Sequence, residues 1–271
     1  LLLCGNKKPI IITYHSDIVK QKYIFKIYKF LMFWVLNSAD KIIATSPNYL
    51  KTSPVLDKFK NKVRVIPPGI NIDNFLNVNK DLVQNYRKQI KEPFFLFIGV
   101  LRYYKGLHTA LEAIKNTNIK LVICGNNGVE KQIKNLARKL NLKNVKFLGY
   151  VTEEEKIALL HSCAAFIFPS NLRTEAFGMS LLEAAACSKP LISCEIGTGT
   201  SFINKNNETG LVIKPNSPGE LRKAMRFIIK NPNLAKEMGK RAKERVEKVF
   251  RIEKQISSYL EVYKEVIETK K

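Results

Sequence analysis

The chain has 271 residues, 45% of them hydrophobic, which is enough for one large domain or two and too apolar for a disordered polymer. Its formal charge of +23, from 46 Lys and Arg against 23 Asp and Glu, implies an anionic partner: nucleic acid, a membrane surface or a phosphate-bearing substrate. Five cysteines (Cys4, Cys124, Cys163, Cys187, Cys194) contain no CxxC, and His15, His108 and His161 show no ligand spacing, which argues against a disulfide framework or a metal centre.

Leu1-Leu2-Leu3-Cys4 reads as the tail of an element that starts upstream. Residues 9–14, a β-rich apolar run bounded by Lys-Lys-Pro, predict a buried strand ending at His15-Ser16-Asp17, where Asp17 can cap the following helix. A histidine at such a strand end fits a cleft residue or a purely structural one. Residues 19–36 predict a helix with Lys22, Lys26 and Lys29 on one face and Ile24, Tyr28, Leu31 and Val35 on another, flanked by Tyr23, Phe30 and Trp34. Lysines interrupt the run too often for a membrane span. A basic, aromatic, amphipathic helix suits an anionic membrane surface, and equally an ordinary packed helix with a solvated lysine face. The first 70 residues hold twelve Lys and Arg against three Asp, a net of +9, yet no helix-turn-helix, RNP-type or zinc-finger pattern accompanies them, so no nucleic-acid partner is expected.

Two more strands are predicted at 40–45 and 62–67 with a short helix between, and Pro67-Pro68-Gly69-Ile70-Asn71 is a breaker. A bridging stretch with a helix at 81–90 follows. From Pro93 the pattern alternates regularly. Strands at 94–99, 120–124, 145–148, 164–168 and 190–193 are separated by helices at 107–116, 130–140, 153–161 and 178–187. A helix at 218–230 and two charged amphipathic helices over 234–269 complete the chain. Strands separated by single helices predict an α/β protein with a doubly wound parallel sheet.

The chemistry concentrates at the junction Thr174-Glu175-Ala176-Phe177-Gly178-Met179-Ser180-Leu181-Leu182-Glu183-Ala184-Ala185-Ala186, between a buried strand and a small-residue helix. In an open parallel sheet that junction lies at the carboxyl ends of the strands, where ligands bind. The backbone N–H groups of Phe177, Gly178, Met179 and Ser180 would face an anion, and Gly178 permits its close approach. A glycosidase acid/base pair is disfavoured: eight helical residues rise roughly 12 Å, against about 5–9.5 Å between such carboxylates. Glu183 inside Leu-Leu-Glu-Ala-Ala-Ala is either a binding group or a helix glutamate paired with a neighbouring lysine. Arg102 and Lys105, after the strand at 94–99, suit a diphosphate as bidentate donor and point charge, although solvated cations are the default reading. Gly125 opens a second strand-end glycine loop, and Tyr150-Val151 follows the third strand of this domain.

The spelling Glu175-Ala-Phe-Gly-Met-Ser-Leu-Leu-Glu183 followed by Ala-Ala-Ala-Cys-Ser-Lys-Pro resembles the Glu-x7-Glu donor signature of the family-4 retaining glycosyltransferases. The resemblance extends from His15-Ser16-Asp17 to Glu208-Thr209-Gly210-Leu211-Val212. Through Leu101-Arg102-Tyr103-Tyr104-Lys105-Gly106 and residues 193–200 the chain is most similar to bacterial O-antigen and polysaccharide mannosyltransferases. The resemblance implies the GT-B fold, two Rossmann-like domains. Residues 1–70 would be the end of a partial acceptor-side domain, 71–250 a complete donor-binding domain, and 251–271 a helix crossing back to the first domain.

It further implies that Glu175 bonds hydroxyls of the donor sugar and Glu183 those of the ribose. The N–H groups of Phe177, Gly178, Met179 and Ser180, with Arg102 and Lys105, would stabilise the departing diphosphate without a metal or other cofactor. Val151 and Gly125 would border the nucleotide, and His15 would face the sugar from the opposite domain. The family's commoner spelling puts arginine directly after the first glycine, where Val100 stands; separately, Ile196-Gly197-Thr198-Gly199-Thr200-Ser201 replaces a commoner Gly-Gly-x-Pro-Glu, and Ser201, where that glutamate would be, receives no role. The implied reaction is retaining transfer of a hexose, mannose from GDP-mannose foremost, to a lipid-linked oligosaccharide in O-antigen synthesis. It would occur in the cytoplasm, with the protein peripheral at the inner face of the bacterial plasma membrane. Transfer from a UDP-hexose is the same-fold alternative, and a non-catalytic basic nucleotide- or nucleic-acid-binding Rossmann module the alternative of another class.

Overall fold

The computed structural model describes residues 8–17, 22–91 and 93–269, the side chains of 22–27 set aside. The Leu1–Cys4 tail, the expected helix start at Val19 and the side chains of Lys22, Tyr23, Ile24 and Lys26 lie outside the described residues.

Two parallel sheets form. The first takes β1 (Ile11–Tyr14), β2 (Lys41–Ala44) and β3 (Val63–Val65) in the order β1-β2-β3. Helix α1 (Lys22–Ser38) and the short α2 (Pro47–Thr52), capped by the Ser46 hydroxyl, connect its strands. The second sheet follows α3 (Lys80–Ile90). It comprises β4 (Phe94–Ile98), β5 (Lys120–Cys124), β6 (Val145–Gly149), β7 (Ala165–Phe168), β8 (Leu191–Cys194) and β9 (Gly210–Ile213). Their order is β6-β5-β4-β7-β8-β9, all parallel.

Strand β4 reads Phe-Phe-Leu-Phe-Ile and is buried throughout, the continuous apolar run expected of a strand covered on both faces. Helices α6 (Glu153–Ser162) and α7 (Met179–Ala186) cover one face, joined by the later turns of α10 (Pro232–Val249), whose Ala235 and Met238 belong to the core on the other face. Helices α4 (Leu107–Ile114), α5 (Glu130–Lys139) and α9 (Pro218–Lys230) cover the other. The chain winds outward from β4 through β5 to β6, then returns to lay β7 on the other side of β4. That reversal makes β4 and β7 the topological switch point, outside whose carboxyl ends such sheets bind ligands.

The chain leaves the first sheet through Pro67–Asn71 and comes back at Arg251, where Ile70 and Arg251 form a parallel bridge. A Cβ on Gly69 would overlap the Arg251 backbone, so the two crossings pack in direct contact. Helix α11 (Ile252–Glu268) then lays Val262 and Val266 on Ile43 and Ile66 of the first sheet, and Glu265 pairs with Lys41 at 2.6 Å.

Two readings are corrected. The second sheet has six strands rather than five. Strand β9 was missed because it is short, opens on Gly210 and follows the polar run Asn206-Asn207-Glu208-Thr209; Asn204 ties that run to β8 and β9 through Leu191, Ser193 and Leu211. Between them lies α8 (Gly199–Ile203), also absent from the periodicity. In α1 the apolar face is rotated. Met32 and Leu36 are buried and Phe33 packs on Phe59 of the 3-10 segment Leu56–Lys62, whereas Tyr28 and Leu31 are exposed. The periodicity named the face of Tyr28 and Leu31; the wall formed by Leu56 and Phe59 selects the Met32–Leu36 side instead.

Candidate active site

Lys105 and Glu175 meet at the switch point. Lys105 ends the 3-10 turn Tyr103–Lys105 after β4, and Glu175 lies in the loop after β7. Lys105 Nζ donates to Glu175 Oε2 at 2.5 Å, and Ser170 Oγ donates to the same oxygen at 3.3 Å. Both charged side chains are nearly buried, at 12% and 11% exposure, so the pair is attracted in a medium that screens it weakly. The ammonium also stands 4.6 Å above the Phe168 ring, a second favourable contact for a desolvated cation. A Cβ on Gly106, whose φ is +66°, would overlap the Pro169 carbonyl; the residue joining turn to α4 must therefore be glycine, and it seats the Lys105 turn against the β7 loop.

Arg102 is exposed at the start of that turn and shares the same electrostatic field. The Tyr104 hydroxyl is pushed above its ordinary pKa first by burial and then by the Glu175 carboxylate, against the opposing charge of Arg102. An anion held between Arg102 and Lys105 would therefore lie over the carboxyl ends of β4 and β7.

Helix α7 starts at Met179 behind Gly178, which adopts φ +102°. No side-chain cap covers this start, and the N–H groups of a first turn have no intrahelical acceptors. Phe177 itself is buried, its ring edge-on to Phe250 at 6.0 Å, so only its backbone can serve a ligand. Met179 is exposed and Ser180 half-buried beside it.

Glu183 is further along α7 with a separate partner, Lys156 of α6, at 3.0 Å. Lys156 also pairs with Glu153 at 2.7 Å. Burial is the largest influence on the Glu183 carboxyl and raises its pKa, while Lys156 opposes without cancelling it. Burial likewise works to lower the Lys156 pKa, but Glu153 and Glu183 outweigh it and hold the ammonium charged. The helix glutamate is thus paired with a lysine, yet keeps one-fifth of its side chain exposed. Gly125, with φ +132°, closes β5 and donates to the Gly149 carbonyl, and Val151 is half-buried against the α6 side of the core. Lys105 and Glu175 sit at the switch point, whereas Gly125 follows β5, Val151 follows β6 and Glu183 is joined to α6 through Lys156.

His15 is exposed at the carboxyl end of β1, on the other sheet. Asp17 reaches the other sheet, and the helix start that it is expected to cap lies outside the described residues. Its Oδ2 takes Arg173 Nη2 at 3.0 Å from the loop that carries Glu175, and its Oδ1 takes Tyr14 Oη at 3.0 Å and Ser53 Oγ at 2.7 Å. Sequence reasoning missed Arg173, Lys156 and Ser170. No spacing rule links Asp17 to Arg173, and only the Glu-Glu-Glu-Lys start of α6 hinted at Lys156. Among the described residues no group of three His, Cys, Asp or Glu is placed to hold a metal ion. Cys124, Cys163, Cys187 and Cys194 are buried.

Comparison with known proteins gives the family and the fold type. The family model described as "Glycosyl transferases group 1" matches residues 78–245, and that described as "Glycosyltransferase Family 4" matches residues 1–74. The chain is 46% identical to D-rhamnosyltransferase WbpZ of Pseudomonas aeruginosa over 92% of its own length and 65% of the relative's. It is 41% identical to O-antigen chain mannosyltransferase C of Escherichia coli over 96% of its length and 70% of the relative's. It therefore spans about two thirds of these relatives. Sucrose-phosphate synthase of Thermosynechococcus elongatus superposes with a TM-score of 0.83 at 26% identity, covering 96% of this chain and 68% of that one. Anabaena Alr3699/HepE, solved with UDP and glucose, superposes with a TM-score of 0.83 at 17% identity over 95% and 72% of the two chains, a likeness of fold alone. The fold is of the GT-B type, and the chain belongs to the group 1 glycosyltransferases.

Proposed function

We propose that this chain carries the donor site of a retaining hexosyltransferase of O-antigen synthesis, using GDP-mannose and a lipid-linked oligosaccharide acceptor. The observation that carries the reading is the Lys105–Glu175 pair at the switch point, beside the uncapped start of α7. One ammonium hydrogen of Lys105 holds Glu175, leaving two for the diphosphate. Arg102 and the first-turn N–H groups of α7 supply the remaining donors, so charge growing on the leaving diphosphate meets dipoles already in place. Glu175, held by Lys105 and Ser170, accepts from the sugar hydroxyls. Lys156 engages Oε1 of Glu183, and Oε2 accepts from the ribose. Val151 and the Gly125 loop border the base. His15 faces the sugar from the first sheet. No metal enters this scheme, because fixed cations and helix N–H groups do the electrostatic work.

The resemblance to a mannosyltransferase and to a D-rhamnosyltransferase supports the choice of sugar. D-rhamnose is mannose without its 6-hydroxyl, so a site common to both reads the 2-, 3- and 4-hydroxyls. The cytoplasmic leaflet is the surface on which a lipid-linked acceptor meets a cytoplasmic nucleotide sugar, and α1 offers a docking element for it. No helix among the described residues is long and apolar enough to cross a membrane.

The test is release of nucleoside diphosphate from GDP-mannose, its 6-deoxy analogue and UDP-hexoses, measured with a lipid-linked acceptor. The reading expects GDP release from the first two and little from UDP-sugars. Preference for a UDP-hexose would replace the donor, and salt-sensitive nucleic-acid binding without nucleotide affinity would replace the reading altogether.

A further inference from the structure

The two candidate cleft residues from opposite sheets are each two residues from a partner in one ion pair. His15 precedes Asp17, Glu175 follows Arg173, and Arg173 Nη2 donates to Asp17 Oδ2 at 3.0 Å. The contact is built rather than incidental. Arg173 Nη1 donates to Thr52 Oγ1 at 2.7 Å and to the Gly197 carbonyl at 3.1 Å, and its guanidinium lies 5.1 Å above the Tyr49 ring. Asp17 is fixed in turn by Tyr14, Ser53 and its own N–H to the Tyr49 hydroxyl. Burial foremost raises the pKa of both tyrosine hydroxyls, which keeps them protonated around the carboxylate. Gly197 has φ +68°, and a Cβ there would come within 3.0 Å of Arg173 Nη1, so a side chain at this position would press on the guanidinium. A second link runs beside the first, from Asn48 Nδ2 to Ser201 Oγ at 2.9 Å and from Ser201 to Glu195.

We propose that Asp17 and Arg173 are positioning residues forming a charged latch across the cleft. The crossing at Gly69 and Arg251 joins the two sheets at one place, and the latch joins them at the strand ends, setting the separation at which His15 and Glu175 face one sugar. This rests on the function proposed above. The latch touches neither Lys105 nor Glu183, so nucleotide affinity belongs to the second sheet alone, while turnover needs both sheets in register. A misplacement of about 1 Å can cost about a hundredfold in rate.

The deciding experiment reads geometry as well as rate. Spin labels on Lys60→Cys and Lys131→Cys, with Cys4 replaced by serine, report the inter-sheet distance by pulsed electron resonance. The latch predicts a single narrow distance in the parent and a longer, broader one in Asp17→Asn and Arg173→Ala, with partial return in Arg173→Lys. GDP affinity should stay within about twofold. kcat should fall about 10- to 100-fold with little change in donor KM, and the double variant should lose no more than either single one. An unchanged distance in both single variants overturns the latch, as does a rate loss that adds fully in the double variant. If the parent binds neither GDP nor UDP while the distances respond as predicted, the functional reading fails and the latch stands.

Discussion

Lys105 Nζ and Glu175 Oε2 lie 2.5 Å apart although 70 residues separate them, because β4 and β7 are hydrogen-bonded neighbours at the point where the sheet reverses its winding. The pair is nearly dehydrated, so each charge depends on the other.

That dependence separates two effects of one substitution. Lys105→Ala should lower turnover about 10²–10³-fold, the scale for removing one electrostatic stabiliser. It should also lower stability by about 1–3 kcal/mol, since Glu175 is left without its main partner. Adding Glu175→Gln should restore much of the stability and none of the rate. Thermal unfolding beside steady-state kinetics checks this; full activity in Lys105→Ala would remove the residue from the site.

Glu183 gives a pH signature. Burial raises its folded pKa above the ordinary glutamate value, so the folded protein takes up this proton more readily than the unfolded chain. Its contribution to stability therefore increases as pH falls through the interval between the two values, while the ionised form that accepts from ribose is lost. Nucleotide affinity should fall over that interval, without unfolding, and Glu183→Gln should be weaker and flat. A wild-type affinity that does not vary there would contradict the assignment.

Gly178 holds φ +102° at the entrance of α7, with its would-be Cβ 3.2 Å from the Phe168 ring. Gly178→Ala should cost about 1–2 kcal/mol from backbone strain alone. It should also tilt the first-turn N–H groups and weaken GDP binding. Chemical denaturation and a GDP titration on the same variant measure both.

Helix α1 leaves Phe30 82% exposed, with Tyr28, Leu31 and Trp34 beside it and Lys29 on the adjoining surface. Each lysine near an anionic leaflet contributes about 1 kcal/mol, so Lys22, Lys26 and Lys29 would give reversible enrichment. Sedimentation should show binding to vesicles containing anionic lipid, with little to neutral ones, and loss on Phe30→Ser with Trp34→Ser. Equal binding to both vesicle types would return α1 to ordinary packing.

Much of the second sheet was legible because its strands are unbroken apolar runs such as Phe94–Ile98, closed by glycine or proline. The Glu175 to Glu183 segment stood out because a charge inside Leu-Leu-Glu-Ala-Ala-Ala needs a reason. Strand β9 was not legible, since four residues opening on glycine give too little pattern. The inward side of α1 depended on Leu56 and Phe59, which no periodicity within α1 can report. Pairs such as Asp17 with Arg173 and Lys156 with Glu183 arise from how loops and helices converge over the strands, and spacing along the chain carries no trace of them.

The central claim is a nucleotide site whose ribose and sugar ends are read by different glutamates. Calorimetric titration of GDP into the wild-type chain, Glu183→Ala and Glu175→Ala tests it most directly. The account predicts saturable GDP binding by the wild type. It predicts weakening of about tenfold or more in Glu183→Ala, roughly 1.4 kcal/mol, and a change within twofold in Glu175→Ala. Binding of neither GDP nor UDP by the wild type, or equal weakening by both substitutions, would contradict it.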